Sequence, residues 1–279
     1  MYADDTVIYV SAATPCEAGA KLTPELEEVS QWLKRNHLTL NLKKTVAMHF
    51  SIRRRVNKDL KIIIDQEEIE EVSNFKFLGI ILDSQLKFDT HVQKLSKTLK
   101  TNLNCFRMAR QYIPLHAAQL FIHAMIFSHI SYCITVWSQA SQSTIKPIAS
   151  LYKQALKIMD KKQMKWHHCI ILRKYNMLSF DSFIQFSFIK LIFKCVNDVA
   201  PAVLCPQVKE TGNNRPTRGS VNGNHRVAMR SASFGQSSYS VKGIHLWNAL
   251  PTEIKKETDL KTFNKKVKLW LKSNQVCEH

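Results

Sequence analysis

At Asp89 the spacing of apolar residues changes, and this change constrains the fold more than any other feature of the chain. Before it the patterns are mixed. Thr14-Pro15 has the form of a helix start, with Thr as cap and Pro in the first turn. Leu22, Leu26, Val29 and Leu33 then recur at helical spacing, and Asn36 is a plausible stop. Pro24 lies inside that run, so the helix either continues through it or restarts there with Thr23 as cap. Thr6–Val10, Thr45–Phe50, Leu60–Ile64 and Phe75–Leu82, the last with Gly79 inside it, read as strands. Thr6–Val10 is expected at an exposed sheet edge.

From Asp89 onward the period is helical. Val92, Leu95, Leu99, Leu103 and Phe106 form one stripe, with Lys94, Lys97, Lys100 and Arg107 on the other side. Leu115–Ser131 and Ile145–Asp160 suggest two further helices. Ser179–Val199 is another, stopped by Ala200-Pro201. Short connections between such helices imply a bundle. Residues 208–240 hold four of the seven glycines and read as a flexible basic linker. Ile244–Leu250 and Leu260–Leu271 resume structure. In the last segment Phe263, Val267, Trp270 and Leu271 stand against Lys265, Lys266, Lys268 and Lys272, the pattern of a basic amphipathic helix. The expected class is α+β: a small sheet plus helix, then a helical bundle and a basic carboxy-terminal region.

Charge follows the same division. The chain of 279 residues has a formal charge of +18. Residues 1–100 carry 15 Lys/Arg and 14 Asp/Glu, whereas residues 101–279 carry 25 and 8. A local surplus of that kind suits a polyanion, most simply RNA or DNA bound without strong sequence preference, or else is a solvated basic surface. The seven cysteines are scattered, form no C-x-x-C and are odd in number, which fits buried free thiols in a reducing compartment. His167-His168-Cys169 lacks a second Cys/His pair at zinc-ligand spacing, so ordinary packing is the better reading. The most apolar stretch, Phe180–Val199, is interrupted by Asp181, Gln185, Lys190 and Lys194 and does not suit a membrane span. An intracellular protein, in nucleus or cytoplasm, with no membrane partner is expected.

The chain opens Met1-Tyr2-Ala3-Asp4-Asp5, two adjacent carboxylates before an apolar run. Paired aspartates of this kind commonly hold divalent metal against phosphate oxygens. Several further pieces follow in order: Trp32-Leu33, Asn36, Leu38-Thr39-Leu40-Asn41, Lys44-Thr45, Phe77-Leu78-Gly79-Ile80-Ile81-Leu82-Asp83 and Leu86-Lys87-Phe88-Asp89-Thr90-His91-Val92. Lys190, Phe193-Lys194, Ala200-Pro201, Phe234-Gly235 and Leu246-Trp247-Asn248-Ala249-Leu250-Pro251 continue the series. This order resembles the reverse transcriptase of non-LTR (LINE-type) retrotransposons from polymerase motif C onward, over nearly the whole chain.

The resemblance implies a partial polymerase palm at 1–88 (motifs C, D and E) and a helical thumb-like domain at 89–207. A flexible basic linker at 208–240 and a carboxy-terminal segment at 241–279 would follow. It implies Mg²⁺ as the cofactor of the intact enzyme, with Asp4 as direct ligand and Asp5 in support. Lys44 would correspond to the motif D lysine that neutralises or protonates the leaving group, completing the catalytic residues. Tyr2 would line the nucleic acid, and Leu78-Gly79 would form the primer grip, where glycine permits close backbone approach. Lys94, Lys97, Lys100 and Arg107 would grip a duplex through its phosphates. No small-molecule substrate beyond dNTP is implied. The family's motif A aspartate and motif B precede motif C, so the metal site is incomplete here. The expectation is therefore a truncated retrotransposon product or gene-model fragment, inactive alone. The alternatives are a non-catalytic nucleic-acid-binding module and a non-functional remnant.

Overall fold

The computed structural model describes residues 5–51, 61–209, 223–227 and 233–275. The chain divides into two compact units, Met1–Thr90 and His91–His279.

In the first unit, helix α1 (Pro15–Arg35) begins where Thr14 accepts a hydrogen bond from the Glu17 amide and Pro15 supplies the preset φ of the first turn. The helix runs through Pro24 without restarting. Proline removes the amide that would serve the Ala20 carbonyl, and Ala20 lies on the exposed side, where water can take that role. The Thr23 hydroxyl donates to the Gly19 carbonyl one position earlier. At the far end Asn36 caps the helix and His37 takes φ 56°. Its amide and that of Leu38 close a Schellman turn onto Lys34 and Leu33.

The sheet is smaller than the strand patterns predict. Strand β1 (Ile63–Ile64) pairs antiparallel with β2 (Glu67–Glu68). Thr45–Phe50 contributes only an isolated parallel bridge, Ala47 to Glu71. Leu60 and the residues just before it lie outside the described residues. Thr6–Val10 is not in a strand, although it keeps a two-residue alternation: Val7 and Tyr9 are exposed, Ile8 and Val10 half-buried. A β-branched run declares its preference for a pleated surface, but a strand also needs a neighbour to accept its ladder. Ala47, Ile62, Ile64 and Ile69 form a small core with Leu22, Leu26, Leu40 and Leu42 around it.

Phe75–Leu82 is not one strand but two. Strands β3 (Asn74–Phe77) and β4 (Ile80–Asp83) pair antiparallel, with Phe77 opposite Ile80. Leu78 and Gly79 are the two loop residues, with φ of 44° and 84°. Positive φ at both central positions marks the type I′ turn, whose twist matches that of the strands it joins. Asp83 then organises the approach to the next helix. One carboxylate oxygen accepts from the Gln85 and Lys87 amides, the other from the Phe88 amide at 2.6 Å.

Every regular element among the described residues of the second unit is helical. Helix α2 (Asp89–Ala109) buries Val92, Leu95, Leu99, Leu103 and Phe106. Helix α3 (Leu115–Ile122), a π segment (His123–Phe127) and α4 (Ser128–Ser131) form a continuous helical run. The Asn102 side chain donates to the Met125 carbonyl inside the π segment, where the regular ladder is interrupted. Helices α5 (Ile134–Trp137), α6 (Gln142–Met159), α7 (His168–Lys174) and α8 (Phe180–Val196) follow. Arg110 is buried; its Nε donates to the Met159 carbonyl at 2.8 Å and its Nη1 to the Ile113 carbonyl at 2.9 Å. A cation placed against the last carbonyls of α6 complements that end of the helix.

Helix α8 stops at Val196, before Ala200-Pro201 is reached. Asn197 caps it, Asp198 takes φ 57°, and the Val199 amide returns to the Lys194 carbonyl. The Schellman turn, not the proline, ends this helix.

The carboxy-terminal elements are α9 (Pro206–Lys209), α10 (Ser233–Ser237), a π segment (Tyr239–Gly243), α11 (Ile244–Asn248), α12 (Thr252–Lys255) and α13 (Leu260–Asn274). They do not form a separate segment. Phe263, Val267 and Leu271 of α13 share one core with Ile189, Ile192 and Phe193 of α8 and Trp247 of α11. The Phe193 and Phe263 rings stack at 4.0 Å. Gly243 lies so close to α8 that a Cβ there would meet Ile192 at 2.8 Å. Most of the linker reading at 208–240 falls outside the described residues. Within it, residues 223–227 are tied to the helices. The Gly223 carbonyl accepts from Trp247 Nε1, and His225 exchanges two hydrogen bonds with the Asn248 side chain.

Candidate nucleic-acid interface

The residues proposed for chemistry and for binding lie on four stretches of the chain. Tyr2 and Asp4 fall outside the described residues, and Asp5 is exposed. Lys44 is exposed at the end of a 3₁₀ turn (Leu42–Lys44), where its amide donates to the Asn41 carbonyl and side chain. No hydrogen bond or ion pair joins Asp5 to Lys44 among the described residues. Leu78 and Gly79 occupy the exposed tip of the β3–β4 hairpin.

Magnesium is held by several oxygen ligands in near-octahedral geometry. Among the described residues no group of three metal-ligating side chains includes Asp5. The group that does exist is His167, His168 and Cys169, whose donor atoms lie within 4.8 Å of one another. Burial, then the charge of Lys153, His167 and Lys157, pushes the His168 imidazole down to about 4. The same lysines oppose a cation, and nitrogen and sulfur donors do not suit magnesium. The described residues therefore do not fit a Mg²⁺ centre.

The basic face of α2 is built from two superimposed patterns. Its apolar stripe faces the core, so Lys94, Lys97, Lys100 and Arg107 are turned to solvent. The three lysines recur every third residue, about 4.5 Å apart along the axis. Exposed ammonium and guanidinium groups of this kind suit phosphate contacts, which carry no sequence information. Beside Lys94, His91 is buried against Trp137, with ring centroids 6.5 Å apart. Burial and the neighbouring Lys94 hold its imidazole below the usual histidine range. Uncharged, it adds nothing to the basic face near neutral pH.

A second basic site has no counterpart in the sequence reading. The loop between α6 and α7 carries Lys161, Lys162, Lys165 and an exposed Trp166. Lys162 Nζ lies 4.4 Å from the centre of the Trp166 ring. Next to the loop, Asp160 accepts from Lys174 Nζ at 2.6 Å and from the Tyr175 hydroxyl. Burial pushes the Asp160 carboxyl up, but these hydrogen bonds and the Lys174 charge outweigh it and leave the group below its ordinary value. The spacing Lys-Lys-x-x-Lys-Trp was the available signal, a charge run with one aromatic inside it.

No helix among the described residues is long and apolar enough to cross a membrane. Of the described cysteines, Cys195 and Cys205 are buried, Cys133 and Cys169 half-buried, and Cys16 and Cys105 exposed. The expectation of buried thiols is therefore met in full only at Cys195 and Cys205, and none of these six forms a disulfide.

Comparison with known proteins gives the chain its relatives. A family model described as reverse transcriptase (RNA-dependent DNA polymerase) matches residues 1–82. The probable RNA-directed DNA polymerase from transposon BS of Drosophila melanogaster is 25% identical over 160 residues, which is 56% of this chain and 18% of that protein. The RNA-directed DNA polymerase from mobile element jockey of Drosophila funebris is 22% identical over 159 residues, 56% of this chain and 17% of its own length. The probable RNA-directed DNA polymerase from transposon X-element of Drosophila melanogaster is 22% identical over 166 residues, 57% and 18%. No solved structure matches. The chain thus spans under a fifth of the length of these relatives, and over more than half of its own length it is similar to RNA-directed DNA polymerases of retrotransposons.

Proposed function

We propose that this chain is the nucleic-acid-gripping part of a retrotransposon RNA-directed DNA polymerase of LINE type. In this reading residues 1–88 are part of a polymerase palm and residues 89–207 a thumb-like domain. The observation that carries it is the basic face of α2, with Lys94, Lys97, Lys100 and Arg107 exposed opposite a fully packed stripe. The relatives support a template or product of nucleic acid, and the excess of 25 Lys/Arg over 8 Asp/Glu after residue 100 supports a polyanionic partner. Phosphate contacts would hold the strand without reading its sequence. The hairpin tip at Leu78-Gly79, with its small exposed glycine, would bring backbone near the primer.

Catalysis is a separate matter. Asp4, Asp5 and Lys44 are the proposed catalytic residues, and Mg²⁺ is the ion such chemistry would use. No third carboxylate joins Asp5 among the described residues. We therefore expect the 279-residue polypeptide to bind nucleic acid without polymerising. Incorporation of dNTP on a primed RNA template, measured against an Asp4→Ala control, should stay at background; synthesis above that control would show that the site is complete.

The binding test is salt dependence. Affinity for RNA or DNA should fall steeply as salt rises, with a log–log slope of roughly −0.7 to −0.9 per phosphate neutralised. Replacing Lys94, Lys97, Lys100 and Arg107 by Gln should shallow that slope by about 3 to 4 and leave the fold intact, because all four lie off the buried face. A slope unchanged by the four substitutions would return these charges to a solvated surface.

A further inference from the structure

We infer that the α6–α7 loop is a stacking site for one unpaired nucleotide, with Trp166 taking the base and Lys161 and Lys165 the flanking phosphates. This rests on the nucleic-acid reading above and places a second contact away from the α2 face. The loop is held by its backbone. Asp160 caps α6, Lys161 takes φ 52°, and the amides of Lys161 and Lys162 return to the carbonyls of Ile158 and Lys157. Lys157 Nζ donates to the Met164 carbonyl, and the Trp166 amide to that of Gln163. These four hydrogen bonds and the cap of α6 make a preformed loop, so little ordering is needed on binding.

The loop borders an open pocket of about 610 Å³ lined by Lys161, Lys162, Gln163, Lys165, Trp166 and His167. Trp166 is 42% exposed although it is an indole, and Lys162 covers one part of its ring. Lys161 and Lys165 form no ion pair among the described residues. Asp160, the acid next to Lys161 in the chain, is already held by Lys174 and Tyr175. The field over the indole is therefore positive. A flat π-face within reach of several ammonium groups matches a nucleotide, which offers a base to stack and a phosphate one bond chain away. Gln163 adds a donor and an acceptor at the rim, suited to any base edge.

The test uses the full 279-residue chain and two 12-nucleotide single strands of equal charge, oligo(dT) and its abasic counterpart. Trp166→Ala should weaken oligo(dT) binding about tenfold at fixed salt and leave abasic binding and the salt slope unchanged. Trp166→Phe should fall between. Tryptophan emission, taken as wild type minus Trp166→Phe, should be quenched by oligo(dT). Salt-sensitive binding that Trp166→Ala does not alter would overturn the stacking site and spare the proposed function. An equal loss on the abasic strand would overturn stacking in favour of charge alone. No binding of either strand would overturn both readings. Quenching by vesicles containing phosphatidylserine, with none by oligo(dT), would assign the loop to a lipid surface and overturn the proposal.

Discussion

The two units of this chain differ in how they are held together and in what they offer a partner. Met1–Thr90 has 12 Lys/Arg and 14 Asp/Glu, whereas His91–His279 has 28 and 8. Among the described residues the first unit buries six apolar side chains and the second forty-one. The stabilising burial and the positive charge therefore reside in the same unit. They coexist because helices separate them by face: a stripe of Leu, Ile and Phe inward, Lys outward. Strands of two to four residues, as in the first unit, have too little surface for that division. The relatives are similar over about 160 residues and so reach both units, but the reverse transcriptase family model matches residues 1–82, in the unit with the smaller core. The proposed phosphate grip falls on the other.

The comparison breaks most readily at the core of the second unit. Phe263→Ala removes a fully buried ring stacked on Phe193 and should cost about 3–5 kcal/mol in denaturant unfolding. Hydrogen exchange on the wild type should show slower exchange around Phe193 and Phe263 than around Ala47 and Ile69. Equal protection in both places would mean that burial is a poor guide to where this chain is stable. Gly243→Ala forces a methyl to within 2.8 Å of Ile192 and should cost about 1–3 kcal/mol, read as a lower denaturant midpoint. If the midpoint holds, α8 and the Tyr239–Gly243 segment are less tightly packed than their contact distance implies.

Acid sharpens the comparison further. Folding lowers the His168 pKa to about 4 from near 6.5. Between these values the unfolded chain binds a proton that the folded chain does not, so stability should fall as pH drops from about 6.5 towards 4. The ring is only half-buried, and after solvent screening the loss should be on the order of 1 kcal/mol. His168→Gln should flatten that limb; an unchanged limb would assign it to other groups. Smallest is Lys161→Gly. Relief of the left-handed backbone should raise stability by about 0.5–1 kcal/mol, read as a higher midpoint. A decrease would show that the Lys161 side chain contributes packing that outweighs its strain.

Local signals carried the sequence reading a long way. Thr14-Pro15 started α1, Asn36 capped it, and the change of period at Asp89 marked the first residue of α2. Helix ends were harder to read because their usual marker is missing. Four Schellman turns place His37, Lys161, Asn176 and Asp198, none of them glycine, in the left-handed region. The local hydrogen bonds of each turn hold such residues there against an intrinsic cost that is small for Asn and Asp. The same cause hid the turn at Leu78-Gly79: a leucine at φ 44° looks like part of a strand.

Sequence alone determined which residues face a core and which face water, since helical period and charge alternation are properties of one segment. It also carried the resemblance to reverse transcriptases, which depends on the order of short motifs. Tertiary structure decided which segments share a core. Phe263, Val267 and Leu271 show a buried face in the sequence, but their partners on α8 lie some seventy residues away, and an apolar stripe does not name its mate. Structure also placed Trp166 beside Lys162 on a loop tied down by backbone hydrogen bonds. Periodicity fixes a direction; contact requires two segments to meet, and that depends on how the whole chain packs.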